Sequence, residues 1–257
     1  MLLDKRRVRQ AFNRAAKTYD HHAQVQQQVA TTLSDLLVHL PIQPKCIVDL
    51  GAGTGFMQPL LRQYFPDALI VQIDLAEFML QYSRAKHADQ NSVWICGDMD
   101  CNPLPAQCAD LVVSNLAIQW SANRKHLLQE CQRILTPSGH WLFSTLGPQS
   151  LQEIRYAHRT SLHPGLLTQQ DLTQWLAEHD FAAPKWQSLL THTEFDTPLE
   201  ALNSVKGVGA QTLPQQKKHL SALNLQALSH RYDALRLDNG KLPLTYEVIL
   251  GLTHYAA

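Results

Sequence analysis

Residues 46–56 read Cys-Ile-Val-Asp-Leu-Gly-Ala-Gly-Thr-Gly-Phe. Cys46, Ile47 and Val48 form a short apolar run of the kind that makes a strand buried on both faces, and the run leads into Asp49. Gly51, Gly53 and Gly55 then alternate, and Met57, Leu60, Leu61 and Tyr64 recur at helical spacing. A strand, a tight glycine turn and a helix N-terminus open a doubly wound α/β sheet. Glycine suits such a turn because it takes positive φ at little cost and lets a ligand lie directly against the main chain.

The spacing separates this turn from the common dinucleotide motif. Nicotinamide and flavin folds use G-x-G-x-x-G, whereas this chain has G-x-G-x-G. Asp49 stands two residues before the turn, Asp74 ends the apolar run 69–73, and Asp98 follows the run 93–96. Carboxylates gathered at one sheet edge repel a pyrophosphate. They attract a ligand that carries a sulfonium, an α-ammonium group and a ribose diol. S-adenosylmethionine has all three, so the pattern favours it over NAD or FAD.

Working outward, strands and helices alternate from about residue 45 to 146, as a parallel sheet requires. Strands are predicted at 46–49, 69–73, 93–96, 110–114 and 141–146. Helices are predicted at about 56–64, 75–86 and 123–135, with Thr136-Pro137-Ser138-Gly139 as a turn. Before this core, residues 4–19 read as one helix with a basic face (Lys5, Arg6, Arg7, Arg9, Arg14, Lys17), and a second apolar stripe runs from Val25 to Leu40 until Pro41 and Pro44 end it. After it the rhythm changes. Helices are expected near 149–158, 168–179, 198–206 and 214–236, a Pro-Gly turn at 164–165, and strands at 186–196 and 246–252. The organisation is therefore an N-terminal helical lid over the cofactor (1–44), a cofactor-binding core (45–147), and a helical insertion with the final strands of the same sheet (148–257), where substrate specificity would reside.

Composition narrows the function. Lys plus Arg and Asp plus Glu both number 22, which argues against broad nucleic-acid affinity. The five cysteines are an odd number and include no C-x-x-C, so neither a disulfide framework nor a zinc site is indicated. Cys46 and Cys96 fall in expected core strands, where a thiol behaves as a small apolar group. The 13 histidines show no ligand spacing, and no metal site is expected. No run approaches the roughly 20 apolar residues that cross a bilayer, and no signal-peptide pattern opens the chain. A cytoplasmic protein without membrane attachment is expected.

Taken as a set, Asp-Leu-Gly-Ala-Gly-Thr-Gly, Asp74, Gly97-Asp98-Met99 and the Pro-Ser-Gly turn resemble class I S-adenosylmethionine-dependent methyltransferases, which implies a Rossmann-like α/β sheet. A narrower likeness spans nearly the whole chain. Phe12-Asn13-Arg14-Ala15-Ala16 with Tyr19 and His22-Ala23, Ser114-Asn115-Leu116-Ala117-Ile118-Gln119-Trp120, Val205-Lys206-Gly207-Val208-Gly209-Ala210 and Pro243-Leu244-Thr245-Tyr246 resemble the malonyl-acyl-carrier-protein O-methyltransferases of biotin synthesis. The glycine loop follows the general methyltransferase wording and carries none of that narrower likeness.

The resemblance implies methyl transfer from S-adenosylmethionine to the free carboxylate of malonyl-acyl carrier protein, or of malonyl-coenzyme A. The methyl ester hides the charge, so that fatty-acid synthesis extends the chain toward pimeloyl thioester and then biotin. It further implies that the turn at Gly51, Gly53 and Gly55 holds the methionine end of the cofactor, with Asp49 among the cofactor-binding residues. Asp74, with Leu75 beside it, meets the ribose, Asp98 accepts from the adenine amino group, and Met99 packs near the ring. Asn115 to Gln119 line the methyl-transfer edge, with Asn115 and Leu116 against the cofactor. Tyr19 closes over the cofactor.

A carboxylate is ionised at neutral pH and a sulfonium is an activated leaving group, so neither a general base nor an acid is needed. Catalysis reduces to alignment and removal of water from the nucleophile. Tyr19, Gln119, Trp120 and Lys206 are therefore candidates for positioning alone. Each has a plainer reading as packing, bracing or an exposed cation. An acidic carrier protein calls for a locally basic docking face, which the N-terminal cluster and Lys217-Lys218 could supply. Two other readings stay open, a methyltransferase of another small carboxylate or phenol and a non-catalytic binder of the cofactor. The segment after the fourth strand lacks the Asn/Asp-Pro-Pro-aromatic pattern of nucleic-acid amino-methyltransferases.

Overall fold

In the computed structural model, which describes residues 3–159, 166–208 and 222–256, the apolar runs pair as a parallel sheet. β1 (Cys46–Leu50) lies between β2 (Leu69–Asp74) and β4 (Ala109–Ser114), parallel to both. β3 (Ser92–Cys96) flanks β2 and β5 (Leu135–Leu146) flanks β4, again in parallel. β7 (Leu242–His254) runs antiparallel to β5, and β6 (Lys185–Phe195) pairs antiparallel with β7 at the far edge. The seven-stranded order is β3-β2-β1-β4-β5-β7-β6.

Alternation along the strands sorts side chains to two faces. Ile47, Leu111, Val113 and Leu142 join one apolar cluster, whereas Val48, Leu50, Val112, Trp141 and Phe143 join another. The first cluster is covered by α3 (Gln24–Asp35), α4 (Met57–Tyr64), α7 (Gln152–His158), α9 (Pro198–Gly207) and α10 (Ala222–Asp233). It thus draws on segments before, within and after the glycine-turn core. The second is covered by α6 (Arg124–Ile134) and α8 (Gln169–Ala177). A small third cluster joins Ala15 and Ala16 at the end of α1 (Lys5–Ala15) to Ala76 and Met79 at the start of α5 (Glu77–His87).

Several expectations need correction. The basic stretch 4–19 is not one helix: α1 stops at Ala15, and a short α2 (Tyr19–His22) begins after Thr18, whose backbone (φ −114°, ψ 1°) is not helical. Residues 136–139 do not separate a helix from a strand. Leu135 already pairs with Ala109 and His140 pairs with Leu111, so the expected turn survives as an irregularity inside β5, with Ser138 at φ 64°. The last strand is longer than 246–252, because both of its neighbours pair along it. Cys96 is exposed because β3 is an edge strand, and Cys131 is the buried thiol. The Pro-Gly turn at 164–165, residues 214–221 of the expected helix, Gly209-Ala210 and Lys217-Lys218 lie outside the described residues.

The winding positions the site. From β1 the chain moves outward to β2 and β3, then returns to β4 on the other side of β1 and continues to β5. Strand order reverses between β1 and β4, and a crevice opens beyond their C-terminal ends, the usual ligand position in such sheets.

Candidate active site

Backbone geometry at the β1–α4 connection is set by Asp74. Its Oδ2 accepts from the Gly53 N–H at 2.9 Å and its Oδ1 accepts from the Ala76 N–H at 2.7 Å, so one carboxylate ties the glycine turn to the end of β2. Gly51 takes φ 75°, and a Cβ there would collide with Ala117. Gly55 plays a different part from the one expected. It lines neither cavity at the turn, and its missing Cβ makes room for Ser83 of α5.

Asp49 is 1% exposed, and neither of its carboxylate oxygens has a hydrogen-bond partner among the described residues. Burial first, and the Asp74 charge second, push its carboxyl up to about 8. Asp74 rises to about 6 through burial, held back by the Ala76 and Gly53 N–H groups. An orphaned carboxylate at this depth costs free energy unless a cation or proton meets it. It lines a side pocket with Gly51, Gly53, Thr54, Tyr19 and Asn115. A ligand bearing an ammonium group fits this orphan, and the missing Cβ atoms leave space against the main chain. These residues therefore suit the methionine end of S-adenosylmethionine.

The N-terminal segment closes the crevice. Tyr19 stacks on Phe56 at 6.0 Å between ring centroids and tilts against Phe12 at 6.4 Å. Burial, with the nearby Asp74 charge, pushes its phenol well above the ordinary range, so it stays neutral and able to donate. Asp20 accepts from the Thr54 hydroxyl at 2.6 Å and pairs with Lys86. Asn13 accepts from the Phe78 N–H at 3.0 Å in the first turn of α5, and the Gln26 carbonyl accepts from Asn115 Nδ2 at 2.9 Å. Lys5 does not belong to an outward basic face. It turns inward to pair with Asp98 and, at 2.9 Å, with the buried Asp100. Asp98 Oδ1 also accepts from the Asp100 N–H at 2.9 Å, which leaves Oδ2 without a protein donor among the described residues.

The main cavity spans about 990 Å³, part of it open to solvent. Gly51, Gly53, Asp74, Leu75, Asp98 and Met99 line one half of it. The far half is apolar, built from Leu116, Leu146, Leu151, Val205 and Val208. Asn115 reaches the cavity but is braced, its Oδ1 accepting from the Ser144 hydroxyl at 2.8 Å. Gln119 is braced likewise: its Nε2 donates to the Leu116 carbonyl at 2.7 Å and its Oε1 accepts from Thr145 at 3.3 Å. Trp120 lines the cavity edge-on to Phe12, 5.5 Å between centroids at 85°. Lys206 is exposed and does not line the cavity; Val205 and Val208 do so from the same stretch.

The sequence marks Tyr246 only as part of the Pro243-Leu244-Thr245-Tyr246 likeness and the start of a strand, and its place in the site was missed. Tyr246 lines the apolar half from β7, 7% exposed, and its hydroxyl has no hydrogen-bond partner among the described residues. Burial and the Glu153 carboxylate hold its phenol above the ordinary range. Thr54, Gln26 and Asp100 were also missed, because each acts through a contact far along the chain. Among the described residues, no three His, Cys, Asp or Glu side chains group as metal ligands, and no helix is long and apolar enough to cross a membrane.

Comparison with known proteins agrees with this arrangement. A family model described as a methyltransferase domain matches residues 48–143. The Malonyl-[acyl-carrier protein] O-methyltransferase of Methylovorus sp. is 33% identical over 97% of this chain and 88% of its own length. This chain belongs to the malonyl-[acyl-carrier protein] O-methyltransferase family. Within that family it also resembles the Biotin biosynthesis bifunctional protein BioHC of Saccharophagus degradans, 32% identical over 95% of this chain and 46% of that longer protein. In fold the methyltransferase matches the YcgJ protein of Bacillus subtilis, with a TM-score of 0.66 at 12% identity over 88% of this chain and 99% of the other. The family model ends at residue 143, so of the apolar half only Leu116 lies within the match, and Leu146, Leu151, Val205, Val208 and Tyr246 lie outside it.

Proposed function

We infer that this chain transfers a methyl group from S-adenosylmethionine to the free carboxylate of malonyl-acyl carrier protein, giving the methyl ester that opens pimeloyl synthesis for biotin, in the cytoplasm. The observation that carries the reading is the juxtaposition of an orphaned buried carboxylate, Asp49, with a cavity whose far half is apolar. The substrate assignment follows the relatives' names.

S-adenosylmethionine supplies, when bound, an electrophilic methyl group on a positively charged sulfur. The rest of the work falls to the chain's own residues. Asp49 and the N–H groups of the glycine turn would hold the methionine end, Asp74 and Leu75 the ribose, and Asp98 and Met99 the adenine. Leu116 and Asn115 would form the floor beneath the reacting atoms, with Asn115 fixed by Ser144 and Gln26. Tyr19 would shut the crevice and exclude water.

The substrate carboxylate arrives ionised, so no residue has to accept a proton. Its orientation calls for donors in an otherwise apolar wall. Tyr246 and Tyr19 have phenols kept neutral by burial, and we assign them to that task together with Trp120. Gln119 contributes by holding the Leu116 carbonyl in place. Lys206, outside the cavity, takes no part in alignment on this reading.

The test is a methyl-transfer assay with labelled S-adenosylmethionine and malonyl-, succinyl- and acetyl-carrier protein. Label should appear in a volatile ester from the malonyl form, weakly from succinyl and not from acetyl. Equal labelling of a phenol or an unrelated carboxylate would overturn the substrate assignment, and no labelling of any acceptor would leave only a cofactor binder.

A further inference from the structure

Three guanidinium groups gather around α7, none of them ion-paired with a carboxylate among the described residues. Arg155, Arg159 and Arg231 line, together with Tyr156, an open pocket of about 620 Å³. Arg155 Nη2 donates to the Pro148 carbonyl at 2.8 Å, and Arg231 Nε donates to the Ala157 carbonyl at 2.6 Å. Arg159 is exposed and makes no side-chain hydrogen bond among the described residues, and Tyr156 beside it is 56% exposed. A helix C-terminus welcomes a cation, but the partial charge there is only about half an elementary charge and does not balance three.

What sets this place apart is that three such groups share one pocket. Arg62 pairs with Asp89, Arg133 with Glu130 and Arg236 with Asp233, whereas none of the three pocket arginines has an ion pair among the described residues. The acids nearest in sequence are engaged elsewhere, Glu153 by the Thr245 N–H and hydroxyl and Asp233 by Arg236, although Glu153 still acts on Arg155 through space. Like charges held together repel one another unless an anion from outside meets them.

The same helix connects this pocket to the main cavity. Leu151, which caps α7, lines the cavity, and the Arg155 N–H donates to the Leu151 carbonyl at 3.0 Å. Four residues of helix rise only about 6 Å. An anion seated on the arginines therefore lies a short tether's length from the apolar half of the cavity. A carrier protein presents that combination: an acidic surface, a phosphodiester at the root of its acyl arm, and an arm that must reach inward. On α1, Lys5 pairs with Asp98 and Arg7 with Asp4, while Arg6, Arg9 and Arg14 have no ion pair among the described residues, so that face is the competing site that the experiment below includes.

We propose that Arg155, Arg159 and Arg231, with the Tyr156 ring, form the docking surface for the acidic carrier protein, the guanidinium groups taking the phosphodiester of its acyl arm. This rests on the carrier-protein substrate inferred above. The surface also gives the protein a means to prefer a carrier-bound thioester over a bare one, since only the former brings both the acidic face and the phosphodiester.

The experiment compares malonyl-carrier protein with malonyl-pantetheine, which has neither phosphate nor protein, for the wild type, Arg159→Glu, Arg159→Glu/Arg231→Gln and Arg6→Glu/Arg7→Glu/Arg9→Glu. Arg159→Glu should raise KM for malonyl-carrier protein roughly tenfold and flatten its dependence on ionic strength, with malonyl-pantetheine turnover unchanged. The double variant should extend the loss, and unchanged adenosylhomocysteine binding certifies its fold. Carrier-protein KM unchanged in both pocket variants, or lost only in the α1 triple variant, overturns the docking surface. A wild type inactive on malonyl-carrier protein but active on another acceptor overturns the substrate reading first, and this inference with it.

Discussion

The Thr54 hydroxyl donates a 2.6 Å hydrogen bond to Asp20 Oδ1, fastening α2 to the glycine turn. One contact thus joins a segment near residue 20 to the backbone that would cradle the cofactor, and Lys86 of α5 pairs with the same carboxylate. Thr54→Val keeps the shape and removes the donor. A hydrogen bond to a charged group is worth about 1.5–3 kcal/mol, so adenosylhomocysteine should bind about tenfold or more weakly by calorimetry. Full affinity in Thr54→Val would mean that Asp20 does not hold the segment closed.

Asp49→Asn should abolish most cofactor affinity, because an amide cannot neutralise an ammonium group. The loss should be about a hundredfold, the scale of one buried charge-assisted bond. In the wild type the free Asp49 carboxyl titrates at about 8 and must ionise to meet a cation. Affinity should therefore rise between pH 6 and 8 by up to about tenfold per unit. Titrations across that range would show a flat profile if Asp49 does not contact the ligand.

Stability should move the opposite way. The folded, ligand-free protein holds a proton on Asp49 up to about pH 8, whereas the unfolded chain releases it near pH 4. The folded state binds more protons between those values, so this group's contribution to stability falls as pH rises through the window, by on the order of a few kcal/mol in total. Asp49→Asn should flatten that decline in the ligand-free protein, followed by thermal unfolding at pH 5 and 8. An identical decline in the variant would assign it to other groups.

Tyr246→Phe removes only a hydroxyl from the apolar half of the cavity. Adenosylhomocysteine affinity should be unchanged, while turnover of the malonyl substrate should fall about tenfold, the scale of one donor to a charged acceptor. If turnover survives intact, Tyr246 serves packing alone.

Gly53 and Gly55 should respond differently to alanine. Nothing lies within 4 Å of a Cβ at residue 53, so Gly53→Ala should cost only the left-handed backbone penalty of about 1–2 kcal/mol. At residue 55 the added methyl would meet Ser83, whose hydroxyl is bonded to the buried Gln72 at 2.5 Å. Gly55→Ala should therefore lower the melting temperature by several degrees more than Gly53→Ala does.

The parallel core was legible because its strands are short apolar runs, and β1, β2 and β3 each lead into a carboxylate or a glycine. Ile47 and Val48 face opposite clusters as alternation requires, and Asp49 and Asp74 stand at the predicted strand ends. What failed depended on partners distant in sequence. Cys96 looked like core, but exposure is set by place in the sheet, and β3 is an edge. Lys5 looked like one more surface cation until Asp98 and Asp100, more than 90 residues away, turned it inward. Tyr246 stood out only as part of a family-like motif, and its place in the cavity comes from how β7 sits beside β5. The arginine pocket escaped notice for the same reason, since Arg231 is 72 residues from Arg159.

β7 enters the sheet between β5 and β6, although both precede it in the chain. A nascent polypeptide emerging from the ribosome therefore carries an unfilled slot, with the main-chain groups of residues 140–146 and 185–195 waiting for a partner. Tyr246 arrives only with the strand that fills it. The substrate half of the cavity is completed at the end of synthesis, so a chain stalled before residue 242 would expose two raw sheet edges and depend on chaperones to avoid aggregation.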